Sequence, residues 1–376
     1  MIDRRAFLQA AAAAGLGVTS VSRALSASGF SSKRYAAAIV IDALGSPLNH
    51  DSNSAGGLLS KQALSDVRAS GVTAINVTVG AVGNGPGLYE DTIQGIADYD
   101  AEIARHGDRL LKVLTAGDIQ TAKSSGRLGL IFGFQDSSVL GGEVTRLSQF
   151  HGLGVRVVQL TYNRRNLVGD GCLEPGDGGL SVFGREVVAE INRLGLLLDL
   201  SHASARTIAD GIAAANRPMT ISHTGCRALV DVPRNTHDRE LKALADKGGV
   251  AGIYFMPFLR ASGQPRSEDL IRHLEHAVNV CGEDHVGLGT DGTISGTKLD
   301  AAFAQVQREF YEKRRKLGIA APGEAADVFN LIPDYNDPRR FVTLADDLSR
   351  RGWSEARIEK ILGANFARLF KDVWGG

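Results

Sequence analysis

An excess of charge of either sign is missing from this sequence. Its 376 residues hold 42 Lys and Arg against 42 Asp and Glu, a formal net charge of zero. Such a balance removes the electrostatic basis of a dedicated nucleic-acid binder or a polybasic membrane protein, and leaves room for a small, locally charged substrate. Cysteine is also scarce. Cys172, Cys226 and Cys281 are the only three and no two form a CxxC pair, so neither a disulfide framework nor a cysteine zinc site is indicated. With 43% hydrophobic and 22% charged residues, the chain can bury a large core and is neither disordered nor fibrous.

Near the start, Asp3-Arg4-Arg5-Ala6-Phe7-Leu8-Gln9 sets two arginines before Phe-Leu, and a small apolar run follows from Ala10 to Val18. That run is too short and too rich in Ala and Gly to span a bilayer. The segment resembles a twin-arginine export signal, read by export machinery rather than serving as an anchor, with small residues for cleavage at Ala24-Leu25-Ser26-Ala27. The expectation is an export signal over 1–28, a single domain over 29–376, and a mature protein without a membrane anchor that is periplasmic or secreted. Homo-oligomers are compatible with this.

From Ala37 onward short apolar runs alternate with amphipathic stretches, the rhythm of βαβ units and a parallel sheet. Strands are predicted at Ala37 to Asp42, Ala74 to Val79, Leu128 to Gln135, Val155 to Thr161, Leu196 to Leu200, Met219 to Ser222, Val250 to Phe255 and Val286 to Thr290. A (β/α)8 TIM-type barrel is the simplest closure. Helices are expected at Leu58 to Ala69, Phe183 to Leu194, Ser204 to Ala215 and Leu270 to Val280, with room for two more in Gly80 to Gly126. Asp300 to Asp337 reads as a helix plus a loop. Helical additions at Leu344 to Arg351 and Ser354 to Leu362 would pack outside the barrel.

In such barrels the chemistry sits at the C-terminal ends of strands. Here those ends read Asp199-Leu200-Ser201-His202, Ile221-Ser222-His223 and Gly289-Thr290-Asp291-Gly292. Two neutral imidazoles facing one cavity suit Zn²⁺ or a similar divalent ion, and a nearby carboxylate could handle the proton of an attacking water. These motifs, together with Pro233-Arg234-Asn235, the block Gln159 to Asn166 and Ile361 to Phe366, resemble the membrane (renal) dipeptidase family of zinc peptidases. The resemblance implies a (β/α)8 barrel with a two-zinc centre that hydrolyses dipeptides. It makes His202 and His223 the ligands of one zinc, Arg234 the group that binds the substrate carboxylate, and Asp291 the acid/base.

The chain departs from the family pattern around the other metal. Leu44 and Ser46 stand where a His-x-Asp pair is usual, Gln135 where a glutamate bridges both ions, and Tyr162 where a further histidine is expected. Leucine has no donor atom, and a neutral amide lacks the charge that lets a carboxylate hold two cations. Three arrangements follow: one ion per chain on His202 and His223 completed by Gln135, Asp42 or Asp291; a rearranged centre recruiting Asp42, Asp136 or His50-Asp51; or a pocket without metal. Tyr162 could hydrogen-bond the tetrahedral oxyanion. The expected activity is metal-dependent hydrolysis of a dipeptide or small carboxylated amide. Two alternatives are a non-catalytic barrel that binds a small carboxylated ligand, and an amidohydrolase acting on a lactone or cyclic amide.

Overall fold

The run Leu128-Gly129-Leu130-Ile131-Phe132-Gly133-Phe134 is apolar throughout, so it is stable as a strand only where both faces are covered. In the computed structural model, which describes residues 29–48, 58–83 and 85–375, all seven of its residues are buried. The export-signal segment and His50-Asp51 lie outside the described residues. The barrel strands are β1 (Ile41–Asp42), β2 (Ala74–Thr78), β3 (Leu128–Phe134), β4 (Val155–Gln159), β5 (Leu197–Asp199), β6 (Thr220–Thr224), β7 (Val250–Ile253) and β8 (Val286–Leu288). Each pairs in parallel with the next in sequence, from Ile41 opposite Ala74 to Leu288 opposite Ile253. The fold is a (β/α)8 barrel.

Closure between β8 and β1 rests on a few bonds. Ala43 N donates to Leu288 O at 2.9 Å, and Thr290 donates to the Asp42 carboxylate from its backbone N at 2.8 Å and its hydroxyl at 2.6 Å. Just beyond, Gly45–Ser46 pairs in parallel with Gly292–Thr293. The region predicted as one strand from Ala37 is divided: Ser31 caps a short helix, Ser32–Ala37, and the strand begins at Ile41. Gly80 to Gly126 holds the two expected helices, Leu88–Arg105 and Ala116–Ser125, with an unforeseen strand between them, Leu110–Lys112, paired to the start of β3.

Helices lie between successive strands. Ser181, Ser204 and Ser354 each accept a hydrogen bond from a backbone N–H of the helix they cap, which satisfies one of its four otherwise unpaired donors. The last helix, Asn365–Trp374, buries Phe366, Leu369, Phe370 and Val373 against Ile41, Ala74, Leu197 and Val250, residues at the N-terminal ends of the strands. It closes the bottom of the barrel and leaves the opposite mouth for function.

Under that mouth the backbones approach closely. A Cβ on Gly252 would lie 1.9 Å from Ser222 O, and one on Gly289 would lie 2.0 Å from the same atom. Backbone cannot swing aside as a flexible side chain can. Gly252→Ala is therefore expected to lower unfolding free energy by about 1–3 kcal/mol, read as a lower denaturant midpoint. An unchanged midpoint would contradict this spacing.

Candidate active site

His202 follows the end of β5 and His223 lies within β6, so neighbouring strands bring the two rings to 4.8 Å between centroids. Both side chains are buried. Three non-glycine residues among those described have positive φ, and two of them are His202 at 61° and Asp291 at 55°. Such backbone persists where the surroundings impose it, and it concentrates at functional sites.

The hydrogen bonds settle both tautomers. His202 Nδ1 lies 2.6 Å from Asn163 Oδ1, and Asn163 Nδ2 donates to Ile319 O at 2.8 Å, so the amide presents its oxygen to the ring. His202 therefore carries its proton on Nδ1. His223 Nδ1 lies 2.8 Å from Ser222 Oγ, whose own hydrogen goes to Asp199 Oδ2 at 2.5 Å; the hydroxyl can only accept from the ring. Both Nε2 atoms are then bare lone pairs, buried and without a partner. Burial, and after it the positive charge of Arg234, holds both imidazoles well below their ordinary pKa, which keeps them neutral.

Arg234, from the loop after β6, is buried with its guanidinium over the rings of Tyr254 and Phe258. Its Nη2 also lacks a partner. Burying a guanidinium nitrogen unsatisfied is costly, which suits a position that meets an anion. Arg234, His202, Tyr162, Gln135 and Asp291 line one cavity of about 550 Å³ at the barrel mouth, together with Phe255, Phe258, Phe303 and Phe310. Burial pushes Asp291 up to about 6, against the pull of Arg234 and Arg314.

Tyr162 stacks on His202 at 4.2 Å between centroids. Its hydroxyl accepts from Arg314 Nη1 at 3.0 Å, so its own hydrogen remains to donate. Arg314, on the helix Ala301–Lys316, is held in turn by a two-point pair with Glu324, at 2.7 and 2.8 Å.

The two unpartnered Nε2 atoms belong to rings 4.8 Å apart, of which His202 lines the cavity and His223, fully buried, does not. Among the described residues no third His, Cys, Asp or Glu joins them in a metal-binding group. Asp42 is committed elsewhere: both its oxygens accept from Thr290, and it serves to close the barrel. Asp136 is likewise committed, accepting from Gly83 N, Ser138 N and Asn166 Nδ2. Gln135 lines the cavity and donates from Nε2 to Thr78 Oγ1 at 2.8 Å. Leu44 and Ser46 also face it, so the corner expected to hold the other ion fits none. The sequence assigns no orienting role to Asn163, Ser222 or Asp199, although all three lie within the motifs singled out there.

The model of the membrane dipeptidase family, peptidase family M19, matches residues 61–302. An uncharacterized Klebsiella pneumoniae protein from the pqqA 5′ region is 30% identical over 292 residues, spanning 75% of this chain and 95% of that one. The dipeptidase tcpJ of Claviceps purpurea is 29% identical over 287 residues, and the chain spans 60% of its length. Among solved structures, an amidohydrolase from Pseudomonas aeruginosa is 33% identical with a TM-score of 0.78, covering 92% of this chain and 99% of its own.

Proposed function

Because this chain belongs to the membrane dipeptidase family of metallopeptidases, we propose that it hydrolyses a small amide bearing a free carboxylate, a dipeptide or a close analogue, with one divalent ion such as zinc. The observation that carries this reading is the set of three buried nitrogens without partners at one barrel mouth: His202 Nε2, His223 Nε2 and Arg234 Nη2. His202 and His223 would hold the ion. Bound there, it would supply a more acidic water and polarise the amide carbonyl.

The chain's own residues do the rest. Arg234 receives the substrate carboxylate and fixes the amide over the mouth. Asp291 takes a proton as the water oxygen bonds to the carbonyl carbon, then returns it to the amine as the C–N bond breaks. Tyr162, its hydroxyl oriented by Arg314, donates to the oxygen of the tetrahedral intermediate. Export to the periplasm or beyond belongs to the same reading, supported by Arg4-Arg5 and the short apolar run after them.

Arg234→Lys tests the substrate class. A lysine offers a point charge in place of a planar fork, so recognition of a free carboxylate should fall about tenfold or more. For the matched C-terminal amide the change should be small. Equal losses on acid and amide would show that Arg234 supports the fold, and a small carboxylated amide would no longer be the substrate class. Binding of the acid without any hydrolysis would identify a carboxylate-binding barrel instead.

A further inference from the structure

The corner of the cavity beside Leu44 and Ser46 lacks a metal-binding set, yet it is not inert. Arg340, the first residue of the helix Arg340–Arg350, reaches into it and is only 8% exposed. Its Nε donates to Asp337 O at 3.0 Å, and its Nη2 donates to Ile294 O at 3.0 Å and Ser295 O at 3.3 Å. Nη1 makes no hydrogen bond to the described residues. It lies 3.8 Å from where a Gly292 Cβ would stand, and Gly292 lines the cavity opposite Gly45, between Leu44 and Ser46. Asp42 and Asp337 act on Arg340 electrostatically, but the Asp42 oxygens are already taken by Thr290.

The neighbours are donors too. Ser46 Oγ accepts from Leu48 N at 3.2 Å, which leaves its own hydrogen to give, and the Tyr99 hydroxyl lines the same cavity. Gln135 Nε2 spends one N–H on Thr78 and has a second. Leu44 and these groups line the cavity together with Arg340; the carboxylates that line it are Asp291, beside Gly292, and Glu324, which is paired with Arg314. A buried cation whose nearest carboxylate, Asp42, is turned to Thr290, and which keeps an unused N–H beside neutral donors, is complementary to an anion.

The corner shares its cavity with the other guanidinium: Arg340 enters from the helix Arg340–Arg350 and Arg234 from the loop after β6, and both line the same space. We infer that the cavity takes a ligand anionic at both ends: one carboxylate on Arg234, a second on Arg340, with the amide between them. The substrate class is then the amide formed by one carboxyl of a dicarboxylic acid and the nitrogen of an amino acid, in preference to a dipeptide with a free ammonium group near Arg340. This rests on the role given to Arg234 under Proposed function and adds the identity of the other end.

The test compares N-succinyl-alanine with N-succinamoyl-alanine, in which an amide replaces the distal carboxylate, by calorimetric binding and by release of alanine. In the zinc-loaded wild type the acid should bind about tenfold tighter or more. In Arg340→Gln the ratio should fall toward one. Arg340 also ties down the loop at Ile294 and Ser295, so Ser46→Glu serves as a second variant: it leaves that tie intact, adds negative charge to the corner, and should reverse the preference. Equal affinities in the wild type, or a ratio unmoved by Ser46→Glu, would overturn the inference. A preserved binding ratio without alanine release would uphold it while refuting hydrolysis.

Discussion

Asp291→Asn is expected to lower kcat/KM on a small carboxylated amide by at least about 100-fold, the lower range for loss of a positioned acid/base group. The fold should survive. Burial raises the Asp291 carboxyl to about 6, so in the wild type the base becomes ionised, and kcat/KM should rise, as pH increases through about 6. The residual activity of the variant should lack that limb. Stability runs the other way. A carboxyl whose folded pKa lies above its unfolded value favours the folded state when protonated, and that contribution is lost as pH rises from the unfolded value through about 6. Asparagine resembles the protonated acid in shape and charge, so at neutral pH the variant should melt at or above the wild-type temperature. A wild-type profile flat across about pH 5 to 7, or a folded variant that keeps the wild-type kcat/KM, would remove Asp291 from the proton transfer.

Replacing either His202 or His223 by alanine is expected to abolish both hydrolysis and retention of a divalent ion, because each ring supplies one of the two buried lone pairs. Removing the groups behind the rings should do less. In Asn163→Ala the His202 ring loses the acceptor that fixes its proton on Nδ1, and loss of such an orienting partner costs about 10–100-fold in metal affinity. Competition with a chromogenic chelator would measure both effects. Ion affinity unchanged in His223→Ala would mean that other residues hold the metal.

The strands were legible because nearly every one is an apolar run of a length suited to a strand buried on both faces. Leu110–Lys112 was not, since it is three residues long with only Leu110 buried and carries no such pattern. The candidate active residues His202, His223 and Asp291 stood out as polar groups at or just beyond strand ends, whereas Arg234, in the loop well past the end of β6, was reached only through the family resemblance of Pro233-Arg234-Asn235. Arg314 gave no signal: it sits in Lys313-Arg314-Arg315-Lys316, which reads as a solvated helix end, and its partner Glu324 lies in a later loop. Arg340 is hidden in the same way beside Arg339. Asp42 illustrates the converse. A terminal Asp on the first strand suits a metal ligand as well as a structural tie, and only the bonds to Thr290, 248 residues away, decide between them.

The metal content of the purified chain, reloaded with zinc and dialysed, tests the central claim most directly: the His202–His223 half of the centre persists while the Leu44–Ser46 corner no longer holds an ion. A single ion per chain, absent from the His202→Ala/His223→Ala double variant, is expected. Two ions per chain, or one that survives in the double variant, would contradict it.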